Sequence, residues 1–190
     1  MTRLLIIGPP GAGKGTQAAR ISDRLGIAAI STGDIFRSNV KNLTPLGVEA
    51  KKYIDAGNFV PDEVTNNMVR SRLKEDDVTG GFLLDGYPRT TAQVEELDDI
   101  LASGNQKLDA VLLLTADDEE LVSRLLKRAE IEGRADDNEE VIRHRLELYK
   151  QQTADVVARY EERGIVTRVN GLGDIDEVTE RVMQALKDHS

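Results

Sequence analysis

Five short runs of apolar and β-favouring residues punctuate this chain, at Arg3–Ile7, Ala28–Ser31, Phe82–Leu84, Val111–Thr115 and Val166–Val169. Between them the apolar positions change to helical spacing, as in Thr16–Leu25, where Ala18, Ile21 and Leu25 recur along one face. Strands that alternate with helices predict an α/β fold with a doubly wound parallel sheet. Leu112–Leu114 is apolar throughout, the pattern of a strand covered on both faces.

Two connections break the regular alternation. A parallel crossover needs about a dozen residues or somewhat more, yet residues 32–81 separate the second strand from the third. Helical patterns in Ile35–Lys41, Leu46–Ala56 and Glu63–Lys74 make this an insertion standing off the sheet. The second break follows a helix over Leu121–Ala129, where Glu130–Ala135 is short, polar and hinged at Gly133. Asp137 and Glu140 have the spacing of a capping box, with Asp137 as the cap of a helix whose apolar face includes Val141, Leu148 and Tyr149.

The chemistry is clearest directly after the first strand. Gly8 to Thr16 read Gly-Pro-Pro-Gly-Ala-Gly-Lys-Gly-Thr, and Gly8, Gly13 and Lys14 satisfy the signature of a phosphate-binding loop. Glycines let successive N–H groups turn into one concavity, the following helix adds its positive end, and Lys14 supplies a mobile cation. Gly15 stands where a metal-binding hydroxyl usually follows, which moves that candidate to Thr16.

Phe82-Leu83-Leu84-Asp85 is an apolar strand ending in a carboxylate, which makes Asp85 the candidate for holding Mg²⁺ through water beside a triphosphate. The turn Gly86-Tyr87-Pro88-Arg89 follows at the carboxyl end of the strand, where doubly wound sheets bind ligands. If a helix begins near Thr90, Arg89 and Gln93 can face one cavity, and the Gln93 amide can both donate to and accept from an adenine edge. In Ser31–Arg37, Thr32 and Gly33 with Arg37 could touch one small ligand; plain capping by Thr32 or Asp34, with Arg37 solvated, accounts for the same residues equally. Arg124 and Arg128 share a helix face, and an anion or carboxylate between them would relieve their repulsion. Arg134, Arg143 and Arg145 flank Asp136 and Asp137, in a pattern that a surface ion-pair run would also produce.

Composition narrows the class. The formal charge of −9 argues against a nucleic-acid surface and requires that phosphate-facing cations be concentrated locally. With no Cys and two His, a structural zinc site is excluded. The N-terminal residues show no signal-peptide pattern and no apolar run reaches about 20 residues, so a single cytoplasmic domain is expected. No Ser-His pair or evident His base is present. An acceptor phosphate is already ionised near neutral pH, so a chain offering a phosphate loop, a metal carboxylate and several arginines is suited to phosphoryl transfer between nucleotides.

The motifs at Gly8–Thr16, Ser31–Arg37, Val60–Glu63, Phe82–Thr90 and Gly133–Asp137 together resemble adenylate kinase, across essentially the whole chain. The resemblance implies a P-loop fold of strand order 2-3-1-4-5, and reversible transfer from MgATP to AMP giving ADP. It implies a cytoplasmic monomer that binds neither nucleic acid nor membrane. A core of 1–31, 61–126 and 138–190 would carry an acceptor-binding insertion of about 32–60 and a short lid of about 127–137, without zinc. Carried over by motif, Gly11, Ala12, Gly13, Lys14, Gly15 and Thr16 would bind ATP, together with Arg124, Arg128 and Gly173. Thr32, Arg37, Asn58, Phe59, Val60, Gly86, Tyr87, Pro88, Arg89 and Gln93 would bind AMP. Arg134 and Arg145 would bridge both substrates, and Lys14, Arg89, Arg124 and Arg128 would complete the catalytic set. Tyr87–Pro88 is expected to be cis.

Departures from the family pattern are Asn58-Phe59 before Val60 and Phe36 in place of a commoner Leu. Uridylate-cytidylate kinase is the near alternative, although Thr32 and Gln93 favour adenine over its usual Ala and Asn. A non-catalytic ATP-binding regulator is the alternative of a different class.

Overall fold

The computed structural model describes residues 2–9, 11–58, 60–133 and 138–189. Its elements run β1 (Thr2–Ile7), α1 (Lys14–Leu25), β2 (Ala28–Ser31), α2 (Thr32–Lys41), α3 (Pro45–Asp55), α4 (Asp62–Arg72), β3 (Gly81–Asp85), α5 (Thr91–Ser103), β4 (Ala110–Thr115), α6 (Asp118–Glu132), α7 (Glu139–Glu162), β5 (Val166–Asn170) and α8 (Ile175–His189). The five strands form one parallel sheet in the order β2-β3-β1-β4-β5, the order the resemblance implies.

Strand periodicity divides the interior into two cores. Leu5, Ile30, Phe82, Leu84 and Val111 face one layer of helices, while Leu4, Ile6, Leu83, Leu112 and Leu114 face the other. Both faces are covered, which explains why the central strands read as continuous apolar runs. The register pairs Ile6 with Asp85, Ser31 with Asp85 and Thr115 with Asn170, so the carboxyl ends of neighbouring strands converge at one rim.

The insertion is helical, as its periodicity predicts. Ser31 caps α2 by accepting from the Asp34 N–H, so neither Thr32 nor Asp34 is the cap. The chain turns one residue earlier than those candidates because Ser31 is still extended and its hydroxyl reaches the third residue on. Thr44 caps α3, with Pro45 at the first helical position. A β-carbon added at Gly47 would lie 2.0 Å from the Asn39 carbonyl oxygen, so α2 and α3 meet there backbone to backbone.

Three further local expectations are corrected. α6 continues past Ala129 to Glu132, because Glu130, Ile131 and Glu132 contain no helix breaker, and Gly133 ends the helix at φ 67°. The cap of α7 is Asn138, which accepts from the Val141 N–H; Asp137 lies outside the described residues. The buried positions of α7 are Ile142, Leu146, Val156 and Tyr160, whereas Val141 is half-buried and Leu148 is exposed. The apolar stripe therefore starts at Ile142 and not at Val141, and Leu148 falls beside it. α8 carries apolar residues that complete the second core through Val178 and Val182.

Leu84 is fully buried in a central strand. Leu84→Ala should cost about 2–5 kcal/mol of stability, read as a lower urea midpoint with an unchanged denaturant slope.

Candidate active site

The loop after β1 is shaped by its glycines. Gly11 and Gly13 have φ of 86° and 76°, and a β-carbon at Gly11 would stand 3.1 Å from Leu125 of α6. Gly13 is the cap of α1, makes no side-chain cap bond, and no acidic residue occupies the first turn. The first N–H groups of α1 thus meet no side-chain oxygen, unlike those of α2, α3, α5, α6 and α7. A phosphate oxygen would satisfy them.

Lys14 Nζ lies 2.7 Å from Asp85 Oδ1, joining the first turn of α1 to the end of β3. This is a close ion pair, although Asp85 Oδ1 is buried and accepts no aligned hydrogen bond. The Asp85 carboxylate beside the phosphate loop fits a hydrated Mg²⁺, and Thr16, an exposed residue, follows Lys14 closely in the chain. No group of three or more His, Cys, Asp or Glu gathers among the described residues.

These elements open onto a cleft of about 900 Å³ along the carboxyl rim of the sheet. Every described candidate for donor binding lines it: Gly11 to Thr16, Arg124, Arg128 and Gly173. Gly86, Tyr87, Pro88, Arg89 and Arg145 line the same space. Arg124 donates to the carbonyls of Gly11 and Gly173, both at 3.4 Å, and so spans from the phosphate loop to the turn after β5. Arg128 has Glu132 of the next turn of α6 at 3.7 Å, on the side away from Arg124.

The acceptor candidates are adjacent to this cleft without all lining it. Tyr87–Pro88 is cis, as the resemblance implies. Thr32 Oγ1 donates to the Gly86 carbonyl at 3.5 Å, and a β-carbon on Gly86, whose φ is 88°, would lie 2.6 Å from that hydroxyl. Arg89 Nε donates back to the Gly86 carbonyl at 3.0 Å. Arg37 pairs with Asp34 on the exposed face of α2. Asn58 is exposed, and Val60 packs against the first core. Gln93 is buried: its carbonyl accepts from the Arg89 N–H at 2.7 Å and its amino group donates to Asp62 at 3.0 Å. Thr32, Arg37, Asn58, Val60 and Gln93 are not among the cleft-lining residues. Phe59 and Arg134 lie outside the described residues.

Arg143 belongs to the ion-pair run. It donates to both Glu119 oxygens at 2.9 Å and to Glu139 at 3.0 Å, clipping α7 to the start of α6. The cleft also has a wall formed by Leu148, Tyr149, Gln152 and Thr153 of α7, of which the sequence reading placed Leu148 and Tyr149 on the helix's apolar face and did not single out Gln152 or Thr153. Ile142, Leu146, Tyr149, Thr153, Val156 and Tyr160 follow one stripe at alternating spacings of four and three, and Thr153 is the polar interruption that could have marked its open middle. Burial pushes the Tyr149 phenol up to about 12. Burial raises Tyr87 further, with Glu96 and Asp62 adding to the effect. Both phenols stay protonated near neutral pH, so neither serves as a base.

A phosphate loop at the carboxyl rim of a 2-3-1-4-5 parallel sheet, opening into a cleft rich in arginine, defines a P-loop nucleotide-binding protein of the kinase type. The family described as adenylate kinase matches residues 6–165. An adenylate kinase of Pseudarthrobacter chlorophenolicus is 73% identical over 98% of this chain and 97% of its own. The adenylate kinase of Kocuria rhizophila is 71% identical over 98% of this chain and 100% of its own, and that of Clavibacter michiganensis subsp. michiganensis is 57% identical over 98% and 93%. The chain belongs to the adenylate kinase family.

Arg143→Ala should leave ATP affinity within twofold of the parent on this geometry, whereas Arg145→Ala should weaken it by about tenfold or more; calorimetric titration separates the two. Arg143 also holds the Glu119 carboxyl below the usual range. Whatever the clip contributes is therefore present above the ordinary glutamate pKa and fades as pH falls through the depressed one.

Proposed function

We propose that this protein is a nucleoside monophosphate kinase that transfers the terminal phosphoryl group of MgATP to AMP, reversibly, giving two ADP. The observation that carries the reading is the meeting of two loops in one cleft, the phosphate loop before α1 and the Gly86–Arg89 turn after β3, with Lys14, Arg89, Arg124, Arg128 and Arg145 facing the same space. The donor triphosphate lies on Gly11–Thr16, with its adenosine toward Arg124 and the Gly173 turn. The acceptor lies toward Gly86–Arg89, with Thr32, Arg37, Asn58–Val60 and Gln93 around it.

Asp85, through water, and Thr16 would hold Mg²⁺, which would supply charge neutralisation on the donor phosphates. The protein's own part is alignment and charge neutralisation. An incoming triphosphate takes Lys14 away from Asp85, and the released lysine follows the transferring group. Arg89 holds the acceptor phosphate, whose oxygen is already ionised and needs no base. Arg124, Arg128 and Arg145, joined by Arg134, spread over the equatorial oxygens where charge builds in the transition state. Closure of the 32–60 insertion and the 127–137 lid would exclude water, so that ATP is not hydrolysed.

We infer from membership of the adenylate kinase family that the protein acts as a monomer in the cytoplasm; among the described residues no helix is long and apolar enough to cross a membrane. The acidic surface argues against nucleic acid as a partner.

The direct test is ADP formation from MgATP with AMP, CMP, UMP or no acceptor. Transfer to AMP in clear preference is expected; preference for CMP or UMP, or ATP binding without transfer, overturns the reading. Arg89→Ala should lower kcat/KM by a factor of about 10²–10³, several kcal/mol of transition-state stabilisation. Unchanged turnover would remove Arg89 from the phosphate-holding role.

A further inference from the structure

Gln93 is only 6% exposed, and both ends of its amide are committed to protein partners of opposite kind. The carbonyl accepts from the Arg89 N–H at 2.7 Å, and the amino group donates to Asp62 Oδ1 at 3.0 Å. A backbone N–H can only donate and a carboxylate can only accept. Turning the amide over would set its amino group against an N–H and its carbonyl against a carboxylate, exchanging two hydrogen bonds for two repulsions at a buried side chain. The amide therefore has one orientation. Each end keeps one further position, a second N–H on nitrogen and a second lone pair on oxygen.

We propose that Asp62 is a positioning residue for acceptor-base selection, fixing the sense in which the Gln93 amide meets the base. The proposal rests on the reading of Gln93 as a contact of the acceptor nucleobase. Adenine offers an acceptor at N1 beside a donor at N6, which the free N–H and the free lone pair of a fixed amide complement. Hypoxanthine offers a donor at N1 beside an acceptor at O6, and uracil repeats that order, so both meet the fixed amide with like against like. Cytosine, with its N3 acceptor and N4 donor, matches adenine in order. Orientation of Gln93 therefore rejects hypoxanthine and uracil, and rejection of cytosine falls to the shape of the site.

Asp62 is well placed to act in this way. It is the first residue of α4, a helix held by one further link to the loop carrying Arg89 and by another to α5. Tyr87 donates to Asn66 Oδ1 at 2.7 Å, and Arg70 pairs with Glu96 of α5. Asp62 itself is exposed, so its replacement removes an acceptor without opening the core. Glu63, the next residue in the same first turn, is also exposed and provides a matched control for charge at the helix end.

The test compares kcat/KM for AMP, IMP and CMP, with MgATP as donor, in the parent and in Asp62→Ala, Asp62→Asn and Glu63→Ala, with thermal unfolding of each. The AMP-to-IMP preference should fall about tenfold in Asp62→Ala, the order expected for one charge-assisted hydrogen bond, while KM for ATP and the AMP-to-CMP preference stay unchanged. Asp62→Asn keeps an acceptor oxygen and should restore the AMP-to-IMP preference, and Glu63→Ala should match the parent. An unchanged AMP-to-IMP preference in Asp62→Ala overturns the proposal, as does an equal loss in Glu63→Ala or in Asp62→Asn. A parent protein that does not use AMP overturns the functional reading instead, so the two failures are distinguishable.

Discussion

Everything at the rim of this protein depends on a parallel sheet that must be covered on both sides. β1 hydrogen-bonds to β3 on one edge and β4 on the other, and its side chains alternate between two separate cores, Leu4 and Ile6 into one and Leu5 into the other. Such a strand cannot slip by one residue without exchanging the contents of both cores. The register that results brings Ile6 opposite Asp85 and starts the phosphate loop immediately beyond. The relation between Lys14 and Asp85 is thus a consequence of sheet register, and the catalytic rim inherits its geometry from buried leucines and isoleucines well away from any phosphate.

The described cations of the candidate site rest on oxygen partners within the protein. Lys14 faces Asp85, Arg37 faces Asp34, Arg128 faces Glu132, and Arg124 rests on two carbonyl oxygens. A net charge of −9 is compatible with a polyanion site because these acidic partners are local and displaceable. On the proposed binding mode, nucleotide phosphates would replace carboxylates as the partners of Lys14, Arg37 and Arg128. Most of the pairs are exposed and individually weak, so the exchange costs little. The Lys14–Asp85 contact is the more enclosed pair, with side chains 28% and 16% exposed.

Much of this could be read from the sequence. The five strands and the insertion helices follow from periodicity, and the phosphate loop follows from its glycines and Lys14. The failures share a cause: they concern choices between neighbouring residues of similar chemistry. Ser31, Thr32 and Asp34 can all cap a helix, as can Asp137 and Asn138, and only the point where the backbone turns decides among them. In α7 the heptad-like stripe identifies a face but not what covers it, so Tyr149 reads as part of an apolar face and instead helps form a cleft wall. Gln93 is the opposite case. Its hydrogen-bonding capacity is visible in its residue type, but the partners that use half of it come from Asp62, 31 positions away, and from a backbone N–H.

The meeting of α2 and α3 at Gly47 bears on how freely this sequence can drift. A β-carbon there would occupy space already taken by the backbone of Asn39, and no side-chain rotation can relieve a collision with main chain. Alanine, the smallest available step, is already too large. Solvent-facing residues of the same hairpin, such as Lys51 and Lys52, meet no comparable barrier. Position 47 should therefore stay glycine in descendants of this chain long after its charged neighbours have been exchanged, though it does not line the cleft.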